Sequence, residues 1–214
     1  MLDFKQTDTN LHKGKADIVA LSHLFYAKNW SLATSSNYSM VLSKDPLRVL
    51  ITASGKDKQF LCENDFVTVD ANGDLIDAQN SEQKQSAETL LHTAIAARPG
   101  VGAVLHTHSV ASTGLSNKYC SKGHLEIQGF EMIKAISLDN MKVSHETCIK
   151  LPIFANSQDM VALSKLVDQN YDSLPKGFLI AGHGLYAWGK DLSEAKRHIE
   201  GYEFLFEVLL KSGF

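Results

Sequence analysis

Val101-Gly-Ala-Val-Leu-His-Thr-His-Ser109 is the stretch from which the fold of this chain can be worked out. Ala103, Val104 and Leu105 predict a short buried strand that runs straight into His106-Thr107-His108. Side chains on a strand alternate between faces, so His106 and His108 point one way and Leu105 and Thr107 the other. Ser109 precedes Val-Ala-Ser-Thr, which reads as a helix start, and serine suits the capping position there. Two imidazoles side by side where a strand ends make half of a metal site. The blander alternative is two unrelated polar residues at a strand end.

On the amino-terminal side, Ser86 to Arg98 predicts a helix stopped by Pro99-Gly100, which leads into the histidine strand. Residues 11 to 30 predict another, with Ile18, Leu21, Leu24 and Phe25 on one face at helical spacing. Tyr38 to Leu42, Arg48 to Thr52 and Phe66 to Asp70 read as strands, the last followed by a hairpin signal at Asn72-Gly73. On the carboxyl-terminal side, residues 109 to 117 read as helical, Leu125 to Gly129 as extended, and Glu131 to Ile136 as the start of a helix. Cys148 to Phe154 predicts an edge strand because it contains Pro152, which lacks an N–H for a ladder. Ser157 to Val167 predicts an amphipathic helix with Ser157 as its cap. Gly177 to Ala181 is a buried strand ending at Gly182-His183-Gly184, and Leu185 to Gly189 a further strand. Ser193 to Lys211 closes the chain as a long helix with Phe204, Leu205, Val208 and Leu209 on its apolar face. Strands and helices interspersed in this way predict an α/β fold: a mixed, largely antiparallel sheet with helices on both faces.

The chain's 214 residues suit a single domain over 1–214. A hydrophobic share of 44% with 21% charged residues is that of an ordinary soluble globular protein. The net charge of −3, without a basic block, gives no reason to expect nucleic acid or a membrane surface as a partner. The polar opening Met1-Leu-Asp-Phe-Lys-Gln-Thr-Asp8 does not resemble a signal peptide. Cys62, Cys120 and Cys148 are scattered and odd in number, as expected of reduced thiols in a cytoplasmic protein.

His183 lies between two glycines, where the backbone is free to turn sharply, and ends an apolar strand as His106 and His108 do. Three such histidines can leave one metal position open for water or substrate. Thr34-Ser-Ser-Asn37 and Thr52-Ala-Ser-Gly-Lys56 are loops whose hydroxyls, N–H groups and lysine suit a phosphate, although neither is a P-loop. Two carboxylates stand out. Glu88 lies in the first turn of its helix, where it also favours the positive helix end. Glu131 lies among apolar residues after a glycine, with Lys134 one turn on. His92 shares the helix face of Glu88 and reads as structural. His12, His23, His124, His145 and His198 carry no recognisable spacing.

Several stretches together resemble the class II aldolase/adducin family: Ala33-Thr-Ser-Ser-Asn-Tyr-Ser39, Ser86-Ala-Glu-Thr-Leu-Leu-His92, Gly102 to Ser109, Leu151-Pro-Ile-Phe154, Gly182 to Gly189 and Glu203-Phe-Leu-Phe-Glu207. The resemblance implies a three-layer αβα sandwich around a mainly antiparallel sheet, and a homotetramer with active sites near subunit interfaces. It implies one Zn2+ per subunit on His106, His108 and His183. It implies a small-molecule sugar-phosphate substrate, here a ketose 1-phosphate, with its phosphate among Thr34, Ser36, Asn37, Ser54, Gly55, Lys58 and Ser86. In the dehydratase branch a glutamate followed by an apolar pair and a lysine is the acid/base, which Glu131-Met-Ile-Lys134 matches. In the aldolase branch the carboxylate at the Glu88 position moves the proton. Ser36 stands where many aldolases of the family have glycine, which favours the dehydratase branch. The alternatives are a sugar-phosphate aldolase or 4-epimerase on the same site, and a non-catalytic adducin-like binding domain. Retention of all three histidines and both glutamates speaks against the last.

Overall fold

The histidine strand lies in the middle of a nine-stranded sheet. The computed structural model describes residues 4–78, 82–138 and 142–213, so the first three residues of the polar opening lie outside it. The strands are β1 (Asn37–Lys44), β2 (Leu47–Thr52), β3 (Phe66–Val69), β4 (Leu75–Ala78), β5 (Ala103–Thr107), β6 (His124–Ile127), β7 (Ile149–Phe154), β8 (Gly177–Ile180) and β9 (Gly184–Gly189). Their order across the sheet is β4-β3-β2-β1-β5-β9-β8-β7-β6. Every pairing is antiparallel except β7 with β8. The expected mixed, mainly antiparallel α/β architecture is therefore present.

Alternation along β5 sorts the core into two layers. Leu105 and Ala103 pack with Ile18, Leu21 and Phe25 of α1 (Phe4–Ala27), Leu115 of α3 (Val110–Lys118) and Ile199, Leu205 and Phe206 of α5 (Leu192–Lys211). Val104 packs on the opposite face with Leu91 and Ile95 of α2 (Thr89–Ala96) and Leu163 and Val167 of α4 (Met160–Asn170). Fully burying one such aliphatic side chain contributes about 1.5–3 kcal/mol, so these two layers hold the sheet. Among the described residues no helix is long and apolar enough to cross a membrane.

Local signals fix several termini. The Ser109 side chain accepts from the Ser112 N–H at 2.9 Å, as a cap of α3 should. The cap of α4 is Asp159, which accepts from the Ala162 N–H, and Ser157 instead accepts from the Asp159 N–H. The expected Ser157 cap is corrected accordingly: a carboxylate three residues before the acceptor-seeking N–H outcompetes the hydroxyl. The Glu131 segment forms a 3-10 turn, Glu131–Ala135, rather than an α-helix. The segment containing Pro152 is not an edge strand, because β7 lies between β6 and β8. Its parallel pairing to β8 is confined to Ile153 and Phe154, so the missing N–H falls outside that ladder. The buried face of α5 is also rotated from expectation. Phe204 is 47% exposed, whereas Tyr202, Glu203 and Phe206 are buried.

Candidate active site

Three elements bring the histidines together at one end of the sheet. His106 is the fourth residue of β5 and His108 lies just past its end. Their ring centroids are 4.5 Å apart, as same-face neighbours should be, while Thr107 points to the other side and donates to Glu203 at 2.7 Å. His183 comes from the turn between β8 and β9. Gly182 in that turn has φ 63°, in the left-handed region that glycine favours. At Gly184 an added Cβ would stand 2.0 Å from the Thr107 carbonyl oxygen, so only glycine lets β9 approach β5 this closely.

The nitrogens converge. His183 Nε2 lies 3.3 Å from His106 Nε2 and 3.1 Å from His108 Nε2. In His106, Nδ1 donates to the Leu185 carbonyl at 2.9 Å, which leaves the lone pair on Nε2, facing the other two rings. Burial, reinforced by the neighbouring imidazoles, holds His106 well below the ordinary histidine range and His108 down to about 4. Imidazole lone pairs brought this close repel one another unless a cation stands between them. One donor atom from each of the three rings falls within 4.8 Å of the others, so the donor set fits a divalent metal. Tyr186, opposite His106 in the β5–β9 register, stacks on its ring at 4.0 Å and 14°.

Glu88 approaches from α2. The helix is shorter than expected and begins at Thr89, which puts Glu88 at the cap position, not within the first turn. Its side chain makes no capping bond. Instead Oε2 accepts from the Asn37 amide at 2.6 Å, while Oε1 lies 3.2 Å from His183 Nε2 and 3.6 Å from His106 Nε2. That oxygen is buried and makes no hydrogen bond.

A cavity of about 110 Å³ adjoins this cluster. Thr34, Ser36, Asn37, Ser54, Gly55, Lys58 and Ser86, the seven residues singled out for a phosphate, all line it, together with Glu88 and His108. The backbone at Ser36 has φ 70°, the region glycine favours, so the loop takes that turn despite its serine. Lys58 is buried, and desolvation pushes its ammonium down to about 8 against the pull of Asp57, Asp65 and Glu88. Its Nζ donates to the Lys56 carbonyl at 2.7 Å.

Glu131 stands apart. Its carboxylate is 71% exposed, pairs with Lys134, and lies 3.3 Å from His145 Nδ1. The Lys134 contact holds it below the ordinary carboxylate range. It does not line the cavity beside His108.

Three residues around the site have no role at it in the reading of the sequence. Tyr186 is found only through the antiparallel register. Glu203 is fully buried, and desolvation raises it to about 7 against hydrogen bonds from Ser109 and Thr107. His92 is buried and bonded to Asn37 and Ser39; its spacing from Glu88 is the one signal that points to it.

Residues 16–210 match the family model described as Class II Aldolase and Adducin N-terminal domain. The chain is 47% identical over 184 residues to the methylthioribulose-1-phosphate dehydratase of Stenotrophomonas maltophilia, covering 85% of this chain and 83% of that protein. It is 44% identical over 198 residues to the enzyme of the same name from Pseudomonas syringae, covering 91% and 93%. Its fold is that of the L-fuculose-1-phosphate aldolase of Thermus thermophilus, with a TM-score of 0.71 at 20% identity over 94% of each chain. Another L-fuculose 1-phosphate aldolase superimposes with a TM-score of 0.75 at 18% identity, covering 94% of this chain and 86% of that one. The chain belongs to the class II aldolase and adducin family.

Proposed function

We propose that this member of the class II aldolase and adducin family is a hydro-lyase that dehydrates 5-methylthioribulose 1-phosphate to 2,3-diketo-5-methylthiopentyl 1-phosphate, as a cytoplasmic step of methionine salvage. One observation carries the reading. Three converging imidazoles, an unpartnered Glu88 oxygen and a cavity lined by hydroxyls and a lysine adjoin one another in a chain 47% identical to a protein named for that reaction.

His106, His108 and His183 would hold zinc, which fits their converging nitrogens. Bound there, zinc supplies Lewis acidity for the substrate's C2 carbonyl, without which a carboxylate is too weak a base for the C3 proton. The chain's own residues do the rest. The phosphate is assigned to Thr34, Ser36, Asn37, Ser54, Gly55, Lys58 and Ser86, a remote charged group whose binding orients the reacting carbons. Glu88 is assigned as the base: Asn37 holds Oε2, so Oε1 is left to accept the C3 proton. Glu131 is assigned as the acid that protonates the departing C4 hydroxyl. Within one chain it faces solvent, and its pairing with Lys134 favours the ionised form, the wrong state for a proton donor. We therefore assign Glu131 to the site of a neighbouring subunit in a homotetramer, where a new surrounding can raise it.

One observation favours a second reading, an aldolase or 4-epimerase. Glu88 Oε1 lies 3.2 Å from His183 Nε2, which also suits removal of a C4 hydroxyl proton and cleavage of C3–C4. Incubation of the zinc-loaded protein with methylthioribulose 1-phosphate separates the two. The diketone is expected; a three-carbon phosphate with an aldehyde would transfer the reading to aldol cleavage. A protein that neither contains nor responds to zinc would favour a binding scaffold.

A further inference from the structure

His92 sits one turn after Glu88 on α2, fully buried against the sheet. Its two ring nitrogens meet two side chains of β1. Nδ1 is 2.8 Å from Ser39 Oγ, and Nε2 is 2.5 Å from Asn37 Oδ1. Asn37 and Ser39 are two apart on the strand, so both point to this face. From Asn37, Nδ2 continues to Glu88 Oε2 at 2.6 Å and to Ser86 Oγ at 3.4 Å. The edge of Tyr186, 5.6 Å between ring centroids, closes the other side of the imidazole.

The chemistry of these groups fixes the direction of the chain. Burial pushes His92 down to about 3, so at neutral pH the ring has one N–H and one lone pair. An amide oxygen only accepts, so the N–H must lie on Nε2. The lone pair then lies on Nδ1 and accepts a hydrogen bond from the Ser39 hydroxyl. If the Asn37 amide were turned over, its oxygen would face the Glu88 carboxylate, a repulsive encounter, and the ring would have to carry its proton on Nδ1 instead. Carboxylate and ring tautomer together therefore select one of two amide orientations that look alike by shape.

We propose that His92 is a positioning residue: by donating from Nε2 to Asn37 it locks the Asn37 amide with its N–H groups toward Glu88 and the phosphate cavity. One amide hydrogen tethers Glu88 Oε2 and leaves Oε1 directed at the imidazoles of His106 and His183. The other faces Ser86 on the cavity wall. Asn37, held in this sense, couples the group that binds the phosphate end to the group that takes the proton. The proposal rests on the assignment of Glu88 as base, and its test separates the two.

The first arm needs no activity. In protein labelled with 15N at its histidine rings and loaded with zinc, two-dimensional spectra at pH 7 should show His92 as the neutral Nε2–H tautomer. The Nδ1–H tautomer would overturn the proposal. The second arm is kinetic. His92→Leu should keep one zinc per chain but lower kcat about 10–100-fold, the scale of a misplaced catalytic group, with a smaller change in KM. His92→Gln, which retains an N–H donor, should recover most of that loss. In a Glu88→Gln background His92→Leu should cost less than about 3-fold, because residues in one hydrogen-bonded chain are not additive. Equal losses in the two backgrounds, or no recovery with glutamine, would also overturn it. Wild-type protein inert toward the ketose phosphate would strike the functional reading, while the ring tautomer in the same sample still decides the role of His92.

Discussion

Around Glu88 the carboxylate is 15% exposed, tethered by an amide and faced by two imidazoles; around Glu131 it is 71% exposed, between Lys134 and His145. The two regions differ in what a proton experiences. At the first, little solvent reaches the carboxylate and a charge acts at close range through a medium that screens it less. At the second, solvent and mobile ions screen the same charge within about 10 Å. A surface glutamate becomes an effective acid only when something covers it. On the proposed reading the difference divides the chemistry in two: a single chain would build the metal centre and the base by itself, whereas the acid would need a second copy.

The largest break in that comparison is to remove the metal. His106→Ala should lose zinc and turnover together, with some loss of stability, since metal binding is coupled to folding. Elemental analysis of the purified variant checks this, and an unchanged zinc content would take His106 out of the site. Next comes Glu88→Gln, which should retain zinc and lower kcat by about 10²–10⁴-fold. Glu131→Gln should likewise keep zinc, with a loss of about 10²-fold or more, but the defect should be complemented. Co-expressed Glu88→Gln and Glu131→Gln chains should form intact sites across subunits, about one quarter of the total by random pairing. If the mixture stays inactive, the two glutamates do not serve one site from different subunits.

The smallest effect concerns a third carboxyl, Glu203. Its folded value, about 7, is above the ordinary 4.5, so the folded protein holds its proton more tightly than the unfolded chain. That contribution to stability is fully present below about pH 4.5 and is lost as pH rises through about 7. Glu203→Gln should therefore gain stability over the wild type on going from pH 5 to pH 8, by about 1–3 kcal/mol. Urea unfolding at both pH values measures it, and a gain on acidification instead would contradict the buried neutral carboxyl.

What the sequence made legible was what strand alternation and short-range signals encode. The paired histidines, the Ser109 cap and the seven cavity residues follow from spacing, composition and resemblance, since each acts over a few positions. The edge assignment around Pro152 failed because a proline excludes only the ladder that needs its own N–H, and the parallel contact begins one residue later. Tyr186 on His106 and Glu203 on Thr107 were not legible, because their partners lie across the sheet and α5. His92 was visible as a neighbour of Glu88, but its role needs β1 beneath it, 53 and 55 positions away.

The place of β5 between β1 and β9 also joins histidines from distant parts of the chain. His106 and His108 are local to one another, whereas His183 reaches them from 77 and 75 residues away. Closing so long a loop is a slow, non-local event that precedes any reward from the contacts it makes. The full set of three nitrogens comes into being only when β9 docks. Zinc held by these three residues would therefore be bound tightly only by chains in which β5 and β9 are already paired, unlike the ion of a small finger. In refolding, tight zinc uptake is expected no earlier than the burial of Trp188, which lies on β9 itself.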